Sequence, residues 1–324
     1  MGGRVLASAR NVAMVLDAYR PRLAEAGLEV VFPDSANVTL TEDELLRLLP
    51  GCVAAVAMPD AYTARVIEAC APSLKVIARS GVGYDSIDLV AAKRYGVWVT
   101  TTVGANHDAV ADFTLGLILD LARRITQIAN EVKAGTWRRV AGVELRGKTL
   151  GIAGTGRIGR EVAARARAFG MRIVAHDAYP NHAWAVSAGV TYLGLDQLLA
   201  QSDVITLHVP ATPQTRHLLD ARALAACKRG VYVVNTARGE LVDEAALLAA
   251  LDSGQVAGAA LDVFASEPPT EAQRPLIGHP NVIPTGHCAG AAVEAQRRAA
   301  EMALEEVLRV ARGERPLSPV PELA

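Results

Sequence analysis

Short apolar runs punctuate the whole chain, and amphipathic stretches separate them. Arg4 to Ser8, Leu28 to Phe32, Cys52 to Met58, Leu74 to Ala78 and Val97 to Thr100 read as strands. Val12 to Ala26, closed by Gly27, and Ala61 to Ala71 read as helices between them. Thr41-Glu42-Asp43-Glu44 has the capping-box pattern ahead of Leu45, Leu46, Leu48 and Leu49. Val110, Phe113, Leu117, Leu121, Ile125 and Ile128 recur at helical spacing and predict one long helix from Asn106 to about Lys133. Beyond it the alternation resumes. Thr149 to Ala153, Met171 to Ala175, Val190 to Leu193, Val204 to His208, Val231 to Asn235, Gly258 to Val263 and Val282 to Pro284 are expected strands. Leu195 to Ala200, Ala221 to Ala226, Glu244 to Ser253 and Ala291 to Ala311 are expected helices. The strands are continuous apolar runs, as suits parallel sheets covered on both faces.

One unit in this series carries more than packing. Thr149 to Ala153 leads into Gly154-Thr155-Gly156-Arg157-Ile158-Gly159. Val162, Ala163, Ala166 and Phe169 follow at helical spacing, and Gly170 ends the helix. Met171 to Ala175 is the next strand, and Asp177 stands 18 residues after Gly159. In a strand–turn–helix–strand unit, the first glycine permits a tight turn and the second lets a pyrophosphate approach the backbone. The third lets helix and strand pack closely. Phosphates then lie at a helix N-terminus, where unpaired N–H groups and the dipole favour negative charge. A carboxylate at Asp177 accepts hydrogen bonds from both adenosine ribose hydroxyls and repels a 2′-phosphate. No arginine directly follows it, so NAD is expected over NADP. The fold class is therefore α/β: two Rossmann-like, doubly wound parallel-sheet domains with a cleft between them. Residues 1–104 form the first, completed by a return of 292–324, and residues 105–291 form the second, which binds the dinucleotide.

Composition narrows the field. Of 324 residues, 51% are AVILMFWYC but only 4% are aromatic, so the cores are built from Ala, Val, Leu and Ile. A net charge of −1 argues against a nucleic-acid footprint. Cys52, Cys70, Cys227 and Cys288 are widely spaced, which gives neither a disulfide framework nor a zinc pattern, and a reducing cytoplasm is expected. No signal peptide and no membrane span are expected; Phe113 to Ala122 is too short and contains Asp120.

Ligands of open α/β sheets bind outside the carboxyl ends of the strands. That rule puts Asp177, Pro210, Arg238, Asp262 and His287 on one rim. Three polar stretches there follow three successive strands: Asn235 to Glu240, Asp262 to Pro269, and Thr285 to Gly290. They offer a guanidinium, a carboxylate and an imidazole. Reduction of a 2-oxo acid needs such a set. A planar cation binds the carboxylate and polarises the carbonyl. Histidine protonates the new alkoxide near neutral pH, oriented by a carboxylate beside it. Ser80-Gly81-Val82-Gly83, directly after a strand, either forms a nest of N–H groups for an anion or is a loop that needs glycine for its shape. His208 is expected to support the cofactor loop, and His107 lies close to the expected cleft.

NTARGELVDEAALLAAL, AALDVFASEPP and the His287 segment resemble the hallmark segments of the D-2-hydroxyacid dehydrogenases, and GTGRIG and SGVGYDSID add to the likeness. It spans essentially the whole chain. It is nearest to the D-3-phosphoglycerate dehydrogenase branch, in LKVIARSGVGYDSIDL and GKTLGIAGTGRIGREVA. The resemblance implies an NAD-dependent oxidoreductase that interconverts a 2-oxo acid and a D-2-hydroxy acid. Arg238 would bind substrate, His287 would be the acid/base, and Glu267 would pair with it. Ser80, Gly81, Val82 and Gly83 would hold the substrate carboxylate. Gly154, Gly156, Arg157, Ile158, Gly159, Asp177, His208, Val209, Pro210, Thr236, Ala237, Arg238, Asp262, His287 and Gly290 would line the NAD site, with no metal. A homodimer through the cofactor domain is implied, with no nucleic-acid or membrane partner.

Departures bear on the substrate. Where phosphoglycerate dehydrogenases carry an arginine after the third strand, this chain has Ala57, and Asp60 nearby is expected to repel phosphate. Arg79, Arg138 or Arg139 are candidates to replace that arginine. A general or small 2-hydroxy acid is ranked above phosphoglycerate, with phosphonate analogues and an NAD(H)-sensing corepressor-like binding role as further alternatives.

Overall fold

Two compact units divide the chain: one runs to Asn106 and resumes over Ala291–Ala324, and the other is His107–Gly290. The structure, a computed structural model, describes residues 3–35 and 39–324.

In the first unit, β1 (Gly3–Ala7), β2 (Leu28–Val31), β3 (Cys52–Ala57), β4 (Val76–Arg79) and β5 (Trp98–Thr101) form a parallel sheet in the order β2-β1-β3-β4-β5. One face packs on Leu45, Leu49, Tyr62, Val66 and Ile67. The other packs on Val12, Leu23, Ala300, Leu304 and Leu308. The last three belong to the helix Val293–Ala311, so the end of the chain completes the core begun by its start. Glu305 of that helix accepts from the Tyr19 hydroxyl and the Arg22 guanidinium. The buried Glu306 carboxylate accepts the N–H groups of Leu317 and Ser318, which seats the C-terminal segment beside β5.

Local chemistry redraws several expected elements. The capping box at Thr41 and Glu44 opens the helix Glu42–Leu48. Val12 to Ala26 is not one helix: a 3-10 turn, Arg10–Met14, precedes an α-helix, Leu16–Glu25, and Val15 leaves helical geometry at φ −122°. Leu89–Tyr95 and His182–Ala188 are additional helices, started by the side chains of Asp88 and Asn181 and stopped by Gly96 and Gly189 at positive φ. The long helix expected to Lys133 breaks at Arg124, which sits at φ 57°, ψ 37°. The Asp120 carboxylate accepts the Thr126 N–H at 2.7 Å, and a separate helix, Ile125–Lys133, begins.

The second unit holds seven parallel strands: β6 (Thr149–Ala153), β7 (Arg172–His176), β8 (Val190–Tyr192), β9 (Val204–Leu207), β10 (Val231–Asn235), β11 (Val256–Leu261) and β12 (Val282–Pro284). Their order is β12-β11-β10-β9-β6-β7-β8. The chain reverses direction across the sheet between β6 and β9, so a crevice opens at the carboxyl ends of that pair. His107–Arg123 and Arg157–Ala168 cover one face with Leu115, Ile118, Val162 and Ala166. Leu198, Leu224, Leu247 and Leu251 cover the other. Phe169 does not share the buried stripe of its helix; it is the C-cap residue and is exposed. Among the described residues, no helix is long and apolar enough to cross a membrane.

Candidate active site

The turn after β6 has the shape its glycines suggest. Gly154 sits at φ 96°, and a Cβ there would come within 2.5 Å of the His208 carbonyl oxygen. A Cβ on Gly159 would collide with the Gly154 carbonyl. Gly156 faces open space, with nothing within 4 Å of a Cβ position. No side chain caps the helix Arg157–Ala168, so its first-turn N–H groups stand over that space. The residues present thus fit a pyrophosphate. Arg157 is exposed at the helix start, while Ile158 packs on the core. Across the crevice, His208, Val209 and Pro210 follow β9, and Val209 packs against Gly154.

At the end of β7, Asp177 is held in place. Its Oδ2 accepts from the Thr155 N–H at 2.6 Å and the Thr155 hydroxyl at 2.8 Å, and its Oδ1 accepts from the Tyr179 N–H at 2.8 Å. Partial burial pushes the carboxyl pKa up, but these hydrogen bonds outweigh it and hold the group below the usual carboxylate range. Asp177 therefore stays anionic. Three donors already engage it, which leaves less acceptor capacity than the two ribose hydroxyls expected from sequence.

His208 is a structural imidazole. Its Nε2 lies 3.0 Å from the Thr206 hydroxyl, and its Nδ1 is sealed from solvent with no hydrogen-bond partner among the described residues. Burial pushes its pKa from 6.5 down to about 3. The unfolded chain takes up this proton first as pH falls, so the contribution to stability is intact above 6.5 and lost progressively toward 3. Between pH 6.5 and 5 the loss is about 2 kcal/mol at ~1.4 kcal/mol per unit. Urea unfolding of H208Q at both pH values is expected to show a pH-dependent loss smaller by about that amount.

The loops after β10, β11 and β12 pack onto one another. Gly239 follows Arg238, and a Cβ there would collide with the Phe264 carbonyl group and Ala265 N. The buried Asn235 side chain spans the arginine loop, donating to the Arg238 carbonyl at 2.8 Å and accepting the Ala237 N–H at 3.0 Å. The Arg238 guanidinium donates to the Ala237 carbonyl at 2.7 Å. Thr236 is buried, and its hydroxyl lies 3.0 Å from that of Thr114, which donates to the Val110 carbonyl. The shared proton therefore comes from Thr236, and that hydroxyl is turned into the fold.

Glu267 and His287 meet: Nδ1 lies 2.6 Å from Oε2. Oε1 of Glu267 accepts the Phe264 N–H at 3.2 Å, which fixes the carboxylate. Glu244 steadies the same loop by accepting from Ala265 N and Gln273 Nε2. His287 itself sits at φ 55°, an uncommon conformation for histidine. Asp262 builds the turn that holds it there. Its carbonyl accepts the His287 N–H at 2.7 Å, and its buried carboxylate accepts from the Thr285 hydroxyl, Cys288 N and Ala289 N at 2.6, 2.8 and 2.9 Å. Gly290 ends the segment and the unit. Asn235, Glu244 and the clamp made by Asp262 escape a reading of motifs. Their signal is only a small polar residue at a strand end and an acid at a helix start.

In the first unit, the loop after β4 differs from expectation at Ser80. Its N–H already donates to the Ala57 carbonyl at 2.9 Å, and its hydroxyl is bonded by Asn11. Gly81, Val82 and Gly83 donate no N–H to another group among the described residues, so the candidate nest shrinks to these three. Asp60 does not face a ligand. It is fully buried and accepts from Ser8 Oγ, Leu40 N and Met58 N, so the expected repulsion of phosphate has no exposed carboxylate behind it. Arg79 is buried beneath Gly81 and donates to the carbonyls of Ala57 and Ser80. Arg138 pairs with Glu131. His107, in the other unit, lies 3.7 Å from the Asp108 carboxylate.

Fold and rim together define a dinucleotide-binding α/β protein with a histidine–carboxylate pair and an arginine at the carboxyl ends of neighbouring strands. Residues 115–289 match the family model for the D-isomer specific 2-hydroxyacid dehydrogenase NAD-binding domain. The chain is 46% identical over 285 residues to D-3-phosphoglycerate dehydrogenase of Rattus norvegicus, covering 87% of this chain but 52% of that protein. It therefore spans about half the length of such relatives. It is 44% identical to hydroxypyruvate reductase of Thermotoga maritima, covering 83% of this chain and 88% of that one. Among solved structures, the TT0316 protein from Thermus thermophilus superposes with a TM-score of 0.88 at 40% identity, over 98% of this chain and 99% of the other. The chain belongs to the D-isomer specific 2-hydroxyacid dehydrogenase family and carries that family's NAD-binding domain.

Proposed function

We propose that the chain is an NAD-dependent oxidoreductase that interconverts a small, unphosphorylated 2-oxo acid and its D-2-hydroxy acid. The observation that carries this reading is the His287–Glu267 pair beside the Arg238 loop, at the same carboxyl end of the sheet as an open glycine turn. A bound dinucleotide would supply the hydride taken up at C2. Arg238 binds the 2-oxo acid and polarises its carbonyl. His287 delivers the proton from Nε2, because Nδ1 is engaged by Glu267. Glu267 fixes the tautomer and orientation of the ring. Asp262 holds the turn in which His287 sits. In the first unit, Gly81, Val82 and Gly83 keep N–H groups of the kind that bind an anion.

The preference for an unphosphorylated substrate rests on the first unit. Ala57 is fully buried at the end of β3, and Arg79 is tied to carbonyl oxygens. NADH oxidation against phosphohydroxypyruvate, hydroxypyruvate, glyoxylate, pyruvate, phosphonopyruvate and 2-oxoglutarate tests it. Hydroxypyruvate or glyoxylate is expected to exceed the phosphorylated acid in kcat/KM by roughly tenfold or more, as expected where a phosphate lacks its cation. The reverse order would make the chain a phosphoglycerate-type dehydrogenase. NADH binding without turnover on any member would leave a binding role.

A homodimer through the cofactor unit is part of the proposal. The helix Ile125–Lys133 is amphipathic yet buries no residue against its own chain, and Ile125, Val132, Trp137 and Val143 are exposed around it. A second copy covering this face would give twice 34.1 kDa, about 68 kDa, in light scattering. W137E is expected to shift the mass to the monomer; an unchanged mass would place the interface elsewhere. A cytoplasmic setting goes with four cysteines that form no disulfide.

A further inference from the structure

A one-directional hydrogen-bond relay runs across the ends of β6, β7 and β8 to the Asp177 carboxylate. An ionised carboxylate only accepts, so the Thr155 hydroxyl donates to Oδ2 at 2.8 Å. Thr155 Oγ1 also lies 2.6 Å from the Tyr192 hydroxyl; its own proton is committed, so Tyr192 is the donor there. Tyr192 in turn accepts the Asn181 N–H at 3.2 Å. Every proton in the chain is thereby fixed in direction. Thr155 is buried, and the Tyr192 ring is held edge-on by His182, with centroids 5.6 Å apart, so neither end of the relay is loose. Thr155 also supplies its N–H to the same oxygen at 2.6 Å.

We propose that Thr155 and Tyr192 are positioning residues for the adenosine end of the dinucleotide, presetting Asp177 for the ribose hydroxyls. This rests on the ribose role given to Asp177 above. The relay leaves the carboxylate in one orientation before the ligand arrives, so its alignment costs no side-chain freedom on binding. With three donors on two oxygens, about one acceptor position remains for the ribose.

The test is binding by the full chain, read from NADH fluorescence and from displacement of NADH by ADP and by 2′,3′-dideoxy-ADP. T155V is expected to weaken NADH and ADP by roughly tenfold and Y192F by about threefold, with T155S close to wild type, as expected for loss of a hydrogen bond to a charged group. Affinity for 2′,3′-dideoxy-ADP should change little in any of them, because that ligand has no hydroxyl to meet the carboxylate. Equal weakening of ADP and its dideoxy form by T155V would overturn the proposal, since a general distortion of the turn acts on both. So would unchanged ADP binding in T155V and Y192F alongside weakened binding in D177N, which leaves the ribose role standing. Unchanged NADH binding in D177N would remove the ribose role itself, and the relay's purpose with it.

Discussion

Replacing His287 with alanine is expected to lower kcat by about 10³-fold while NADH affinity stays within about twofold of wild type, the usual scale for loss of a general acid. The imidazole can accept a proton at one ring nitrogen while the other donates, which suits it to acid/base work. Its Nδ1 is 2.6 Å from Glu267, so the other nitrogen is left for the substrate oxygen. The turn proposed for the pyrophosphate is built by Gly154, Gly156 and Gly159 and does not depend on the His287 side chain. The loop itself should survive, because Asp262 holds it through the backbone N–H groups of His287, Cys288 and Ala289. Stopped-flow turnover with the preferred 2-oxo acid and fluorescence titration of NADH separate the two effects. Turnover within tenfold of wild type would take His287 out of the mechanism.

The sequence made legible what depends on local pattern. The apolar runs located the strands, and glycine spacing located the open turn between β6 and the helix Arg157–Ala168. Arg238, Glu267 and His287 stood out because each follows a strand in a polar segment. What stayed hidden depends on partners far along the chain. Asp60 reads as an acid that would repel phosphate, yet it is buried and accepts from Ser8 and Leu40. Asp262 reads as a residue of the NAD site, and nothing local shows that its carboxylate organises the turn around His287. The helix break at Arg124 arises from Asp120 reaching Thr126, a contact that periodicity cannot register. Leu89–Tyr95 and His182–Ala188 are each only two turns long, too short for a 3.6-residue pattern to rise above its surroundings.

Arg238→Lys is expected to raise KM for the 2-oxo acid by roughly 10²-fold and to lower kcat by about tenfold, with NADH affinity near wild type. A guanidinium presents its donors in a planar fork that can bind a carboxylate and reach a neighbouring carbonyl at once, whereas an ammonium is a compact point charge. The local structure favours the fork. One nitrogen of Arg238 is tied back to the Ala237 carbonyl at 2.7 Å, which orients the plane of the group. The backbone beneath it is fixed from two sides, by the Asn235 side chain and by the close approach of Gly239 to Phe264. Lysine keeps the charge and loses both the orientation and the second contact, so binding and the chemical step should both suffer. Steady-state kinetics over the 2-oxo acid panel gives the split. A rise in KM with kcat unchanged would limit Arg238 to holding the substrate, because polarisation of the carbonyl belongs to the transition state. Unaltered constants would remove Arg238 from the substrate site.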